Sequence, residues 1–159
     1  MNAFKIRQAT ESDASTIVYL IKQLAIYEKL EHEAIMTEEL IRKNVFTENH
    51  AHVLIAEEGS DVVGFALYFY NFSTFLGKPG LYLEDLFVEP THRGKGYGKA
   101  LLVELAKIAQ EKDCGRMEWS VLDWNTPSIE FYKSLGAVPM EGWSVFRLTD
   151  EKIATLASE

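Results

Sequence analysis

The sequence predicts a mixed α/β domain of the α+β kind, with helices packed on a mixed sheet. Three observations predict it. Apolar residues recur at helical spacing in separate stretches, notably 17–25 and 101–109. Apolar runs of strand length lie between them, at 52–58, 61–72 and 81–88. The order of elements also changes, from an early hairpin around Gly59-Ser60 to a strand–helix–strand arrangement later.

The elements follow in order. Residues 4–7, FKIR, alternate like a short strand. Thr10 caps a helix with Asp13 in capping-box position, and Ile17, Leu20, Ile21, Leu24 and Ala25 form its buried stripe. Thr37 caps a second helix that buries Leu40, Ile41 and Val45. HVLIAEE and DVVGFALYFYNF form the hairpin. Gly77, Pro79 and Gly80 break the chain before the strand LYLEDLFV. A helix burying Leu101, Leu102, Leu105, Ile108 and Ala109 comes next, then the strand RMEWSVL. Thr126 caps a helix with Pro127 at its first position, where a missing N–H costs nothing, and Gly136 ends it as a left-handed cap. WSVFRL reads as a last strand, and a short helix closes the chain.

With 159 residues, no repeat and no linker-like tract, residues 1–159 read as a single domain with one core. Hydrophobic residues make up 47% and charged residues 25%, a soluble globular profile, and no apolar run reaches the ~18 residues of a membrane span. MNAFKIRQAT lacks the apolar centre of a secretory leader, and Cys114 is the lone cysteine, so a cytoplasmic protein without disulfides is expected. His32, His50, His52 and His92 form no Cys/His ligand pattern, so no metal is expected. The formal net charge of −8 argues against nucleic acid as a partner. It suits either plain solubility or attraction of a cationic substrate.

The stretch EPTHRGKGYGKALLVEL, residues 89–105, carries the chemistry. Lys99 is followed by Ala100 rather than Ser or Thr, which excludes a P-loop. The third glycine of a dinucleotide fingerprint is missing too, with Tyr97 or Leu101 in its place. The context is nevertheless strand, glycine turn, helix. Gly94, Gly96 and Gly98 let backbone approach a ligand, helix N-terminal amides converge on an anion, and Arg93, Lys95 and Lys99 add charge. The plain alternative is a tight turn with incidental glycines.

Arg93-x-x-Gly96-x-Gly98 resembles the Arg/Gln-x-x-Gly-x-Gly/Ala turn of the GNAT superfamily of N-acetyltransferases. YLEDLFV, WNTPSIEFYKSLGA, EGW and LAIYEKLE are similar to stretches of its diamine (spermidine/spermine) acetyltransferases. The resemblance covers nearly the whole chain. It implies a GNAT-like fold, with a central mixed, mostly antiparallel twisted sheet flanked by helices, and acetyl-CoA as co-substrate. Residues 93–99, including Gly94, Lys95, Tyr97 and Lys99, would hold the coenzyme's diphosphate, and the backbone of Leu86, Phe87 and Val88 the thioester. Asn125, Ser128 and Tyr132 would bind its pantetheine end.

Acetyl transfer needs an unprotonated amine, a donor for the developing oxyanion and a proton for the thiolate. Glu84 and Asp85 are adjacent acids in an apolar strand, so one would face the core unless the strand is distorted there. The resemblance makes Glu84 the group that binds the ammonium and takes its proton, with Asp85 assisting. It makes Tyr132 the general acid, although helical spacing alone reads Tyr132 as core. Tyr27, Glu28, Trp124, Glu141 and Trp143 would line the amine pocket, their aromatic faces and carboxylates suiting an alkylammonium. In FSTFLGK, Ser73 and Phe75 stand where the polyamine enzymes carry an acid and a tryptophan. Ser73-Thr74 and VLDWN match the thialysine branch. The expected substrate is therefore a small amine with one terminal ammonium, or else a di- or polyamine, and the expected assembly is a homodimer. Acetylation of a protein lysine or N-terminus, and a non-catalytic acyl-CoA sensor, are the alternatives.

Overall fold

The computed structural model describes residues 3–159, so Met1 and Asn2 of the opening stretch lie outside it. Five strands form one sheet in the order β1-β2-β3-β4-β5: β1 (Phe4–Gln8), β2 (His52–Glu58), β3 (Asp61–Ser73), β4 (Lys78–Val88) and β5 (Arg116–Trp119). The first four run antiparallel to their neighbours and β5 is parallel to β4, which is the mixed, mostly antiparallel sheet the sequence predicts. The chain divides into two compact units, residues 1–122 and 123–159.

In the first unit, α1 (Ala14–Tyr27) follows a 3-10 turn in which the Asp13 carboxylate accepts from the Thr10 N–H at 2.7 Å. Thr37 caps α2 (Glu38–Ile41) by accepting from the Leu40 N–H, and a π-helical stretch, Arg42–Thr47, continues it. Ile41 and Val45 are buried as expected, but Leu40 is exposed. Ile17, Leu20, Leu24, Ile41 and Val45 pack on Val53, Ile55, Phe65 and Phe87 of one sheet face. Each such side chain contributes roughly 1.5–3 kcal/mol when fully buried. Leu54, Ala56 and Ala66 point the other way, and α3 (Tyr97–Glu111) buries Leu101, Leu102, Leu105 and Ala109. Gly64 is required where β3 meets β4, since a Cβ there would stand 2.6 Å from the Phe87 carbonyl.

Three of the strand and turn expectations are corrected. Pro79 and Gly80 do not break the chain: they pair with Phe72 and Asn71 inside β4, and the turn lies earlier, at Gly77 with φ +67°. Proline is tolerated because it sits at the start of the strand. RMEWSVL is a strand only to Trp119. WSVFRL, residues 143–148, forms no strand. The second unit contains no other strand, and a strand needs a ladder to satisfy its backbone.

The second unit holds α4 (Thr126–Ser134) and α5 (Asp150–Ala157). The α4 cap is Asn125, one residue before the expected Thr126, and Pro127 is consequently the second helical residue. Gly136, at φ +92°, ends α4 in the expected left-handed conformation. Among the described residues, no helix is long and apolar enough to cross a membrane.

Candidate active site

The glycine turn sits between β4 and α3. A 3-10 turn at Pro90–His92 leads into Gly94 and Gly96, with φ of +80° and +83°. Both values strain any residue with a Cβ, and a Cβ at either position would meet nothing within 4 Å. That side of the turn is open to an approaching molecule. The Ala100 N–H donates to the Gly96 carbonyl at 2.9 Å, so the amides just ahead of it have no helical acceptor. Open glycines and a helix N-terminus together suit a diphosphate.

Two of the three basic side chains of the turn have partners within the protein. Arg93 Nε donates to the Val88 carbonyl at 2.8 Å, and its guanidinium lies 4.9 Å from the centroid of Tyr27 and 5.4 Å from that of Phe87. Lys95 Nζ is 3.2 Å from Glu58 Oε2. Lys99 lines a groove of about 460 Å³ with Phe4, Lys5 and Lys107. The charge that the sequence places at the turn therefore acts first as bracing.

On the strand ahead of the turn, the distortion that two adjacent acids call for is present. Leu67 pairs with Asp85 and Tyr68 with Leu83, so Glu84 is the extra residue of a β-bulge. Glu84 is exposed and Asp85 half-buried. Burial, then the neighbouring charges of Glu84 and Glu28, push the Asp85 carboxyl up to about 7. Glu28, at the C-terminal end of α1, is raised by burial and then by Glu84. Three carboxylates thus meet beside the bulge. The ladder between β4 and β5 ends at Leu83 and Trp119, and Leu86, Phe87 and Val88 lie beyond it while still paired to β3. Backbone amides of this stretch that point away from β3 have no β5 partner, which suits a thioester carbonyl.

In the second unit, Asn125 is buried and its side chain accepts from the Ser128 N–H at 3.4 Å. Tyr132, on α4, is half-buried, with its ring 5.7 Å from that of Phe131. Trp124, Glu141 and Trp143 are exposed. Among the described residues, no group of three or more His, Cys, Asp or Glu side chains is placed to hold a metal.

A family model for the acetyltransferase (GNAT) family matches residues 17–137, from α1 through the glycine turn to the end of α4. The chain is a GNAT-family acetyltransferase. It is 40% identical to a thialysine N-epsilon-acetyltransferase of Mus musculus, with 99% of each chain covered. It is 32% identical to an L-ornithine N5-acetyltransferase of Arabidopsis thaliana, over 96% of this chain and 87% of that one. Among solved structures, an integron cassette protein from the mobile metagenome of V. cholerae superposes with a TM-score of 0.82 at 28% identity, with 98% of each chain covered. Acetyltransferases of this family use acetyl-CoA as co-substrate.

Two features of this acetyltransferase's site have no local signal in the sequence. Glu58 and Phe4 brace Tyr97 from 39 and 93 residues away, and no local pattern announces a contact at such distance. Nothing in LYLEDLFV says which of its two acids the fold will half-bury, and that acid is Asp85.

Proposed function

We propose that this acetyltransferase moves an acetyl group from acetyl-CoA to the side-chain terminal amine of a small amino acid of the thialysine type, by direct attack on the thioester. The carboxylate cluster at the bulge, on the strand that feeds the glycine turn, is the observation that carries this reading. Acetyl-CoA supplies the activated acyl group. The turn from Arg93 to Lys99 holds the diphosphate through backbone amides, and amides among Leu86, Phe87 and Val88 receive the carbonyl oxygen. Asn125 and Ser128 flank the pantetheine.

The two acids divide the work on the amine. Glu84, exposed at the bulge, meets the ammonium, and Asp85 takes the proton directly or through water. An alkylammonium titrates near 10.4, so transfer to an ordinary carboxylate is uphill by about 6 units, or roughly 8 kcal/mol. Transfer to Asp85, raised to about 7, is uphill by about 3 units, or roughly 5 kcal/mol. Tyr132 gives its phenolic proton to the departing thiolate and is restored by the second proton that the acylated nitrogen loses, and Tyr132→Phe lowers kcat by about 10²–10⁴-fold in a purified assay.

The names of the relatives support the amine class, since thialysine and ornithine are amino acids with one further terminal amine. Ser73 supports it too. It is buried, with its Oγ accepting from the Leu76 N–H at 3.2 Å and its carbonyl from the Gly77 N–H at 2.8 Å, while Phe75 is fully exposed. Neither residue provides the acid that a second, distant ammonium requires. In this reading Tyr27 and Glu28 of the first unit are amine-binding residues, and the resemblance adds Trp124, Glu141 and Trp143 of the second. Dimerisation belongs to the same reading. Residues 143–148 have a strand's composition and expose Trp143, Val145 and Phe146, which suits pairing with a second copy. Sedimentation at micromolar concentration is expected to give twice the chain mass.

Thiol release from acetyl-CoA across thialysine, lysine, ornithine, spermidine and lysine peptides tests the whole. Thialysine or ornithine is expected to give the highest kcat/KM. A higher value for spermidine moves the assignment to polyamines, a higher value for peptides moves it to protein acetylation, and binding without turnover leaves a sensor.

A further inference from the structure

The end of β2 reaches across to the glycine turn. Tyr97, the first residue of α3, donates its phenol to Glu58 Oε2 at 2.5 Å and lies flat on Phe4, with ring centroids 3.9 Å apart and an interplanar angle of 4°. Phe4 and Glu58 are register partners in the β1–β2 ladder, and the Gly59 N–H closes that end onto the Ala3 carbonyl at 2.8 Å. The phenol is therefore gripped by two neighbours at the fixed end of a sheet. Glu58 also pairs with Lys95 at 3.2 Å.

We propose that Glu58 is a positioning residue for the diphosphate turn, fixing the first turn of α3 through its bond to Tyr97; this rests on the acetyl-CoA reading above. The sequence of the turn makes such a tether necessary. Tyr97 stands between Gly96 and Gly98, the two residue positions least able to fix their own backbone. At the other end of the turn, Arg93 is tied to the Val88 carbonyl. With both ends held, the amides between them keep one orientation whether or not a ligand is present, and the entropy of ordering them is lost on folding rather than on binding. The link is charge-assisted. The Tyr97 hydrogen bond, then Lys95, holds the Glu58 carboxyl below the usual carboxylate range, and the same bond raises the Tyr97 phenol. Pairing with Lys95 also offsets the repulsion that a carboxylate this close would exert on a diphosphate.

Three variants decide the matter: Glu58→Ala, Glu58→Gln and Tyr97→Phe. The readouts are calorimetric affinity for coenzyme A, the KM and kcat for acetyl-CoA, and amide exchange of residues 94–99 without ligand. Glu58→Ala is expected to weaken coenzyme A binding about tenfold and raise KM by a similar factor, with kcat moving less than twofold. Exchange across 94–99 accelerates in step. Tyr97→Phe keeps the stack and loses the bond, for about a threefold loss of affinity. Glu58→Gln still accepts from the phenol through its amide oxygen and recovers most of the loss. The double variant Glu58→Ala/Tyr97→Phe binds no more weakly than Glu58→Ala alone, because both remove one link. Parental affinity in Glu58→Ala overturns the proposal. So does a Glu58→Gln variant as weak as Glu58→Ala, which would assign the effect to charge. If Glu58→Ala does not fold, the contrast between Glu58→Gln and Tyr97→Phe decides. If the parent itself binds no coenzyme A, the acetyl-CoA reading fails, and the exchange rates still report whether Glu58 holds the turn.

Discussion

Two carboxylate clusters lie in the first unit, and their electrostatics run in opposite directions. Asp13 and Glu57 surround Arg7. The guanidinium donates to Asp13 through Nη1 at 2.8 Å and Nη2 at 2.9 Å, and to Glu57 through Nε at 2.6 Å. Hydrogen bonds from Arg7 hold both acids below their ordinary range. At the bulge, burial and like charges raise Glu28 and Asp85 instead. The residue types are the same, and the difference is where the cation comes from. Around Arg7 the fold supplies it, and the cluster is scaffold that ties β1 to β2 and to the start of α1. At the bulge burial and like charges oppose ionisation, so the cluster costs the free protein stability, and in the proposed function the substrate's ammonium is the cation that relieves it.

The sharpest way to break this comparison is Asp85→Asn. In the proposed role it lowers kcat/KM by about 10²–10⁴-fold. It also stabilises the fold, and the sign follows from linkage. A carboxyl raised from 3.8 to about 7 on folding binds its proton more tightly in the native state, so it costs stability as pH rises through that window. Denaturant titration is expected to show Asp85→Asn more stable than the parent by roughly 1–3 kcal/mol at pH 8, and little changed at pH 4. A variant that is inactive and also less stable at pH 8 would leave Asp85 as scaffold.

Arg7→Leu makes the opposite cut. It strands Asp13 and Glu57 without their cation and is expected to cost about 2–4 kcal/mol at pH 7, at the lower side of buried-pair losses because Arg7 is partly exposed. Coenzyme A affinity and the pH dependence of kcat/KM stay close to the parent's. The two clusters also predict the shape of the parent's stability curve. Between pH 8 and about 5.5 stability rises by roughly 1–2 kcal/mol as Asp85 takes up its proton. Asp13 and Glu57, whose native values are lowered, contribute stability that is present above their ordinary range and is lost as pH falls below about 4. In Arg7→Leu the rise remains and the acid-side loss shrinks.

The sequence announces one cluster and hides the other. Glu84-Asp85 inside an apolar strand has no regular solution, so a distortion could be read from the residues, and the bulge is there. The Arg7 cluster could not be read in the same way. Asp13 carries a complete local explanation as a capping-box residue, and its stronger partner lies on β1, reached only when the strand folds alongside the helix start. The core stripes on α1 and α3 were legible because helical spacing is a local property. Residues 143–148 depart from the strand their sequence predicts for the complementary reason. Their composition is that of a strand, but a strand also needs a partner, and composition does not say whether one exists within its unit. Pro79-Gly80 reads as a break because turn residues at a strand's first positions carry no local sign of the pairing they make.

The finest test separates burial from like-charge repulsion as the source of the Asp85 shift. Burial is the larger cause, and Glu84 and Glu28 follow. Glu28→Gln removes one negative charge from the end of α1 while keeping the shape of the side chain, so it leaves burial in place. Asp85 then ionises more readily, and the acidic limb of kcat/KM, which reports the free enzyme, is expected to move from about 7 to lower pH by about half a unit. A limb that does not move leaves the shift to burial and Glu84, and the cluster then owes nothing to α1. A limb that moves upward excludes Asp85 as the titrating base, since removing a negative neighbour can only lower its value. KM for the amine rises by a few-fold in the same variant if Glu28 faces the ammonium, because a carboxylate that repels its neighbours in the free protein attracts the cation that replaces them.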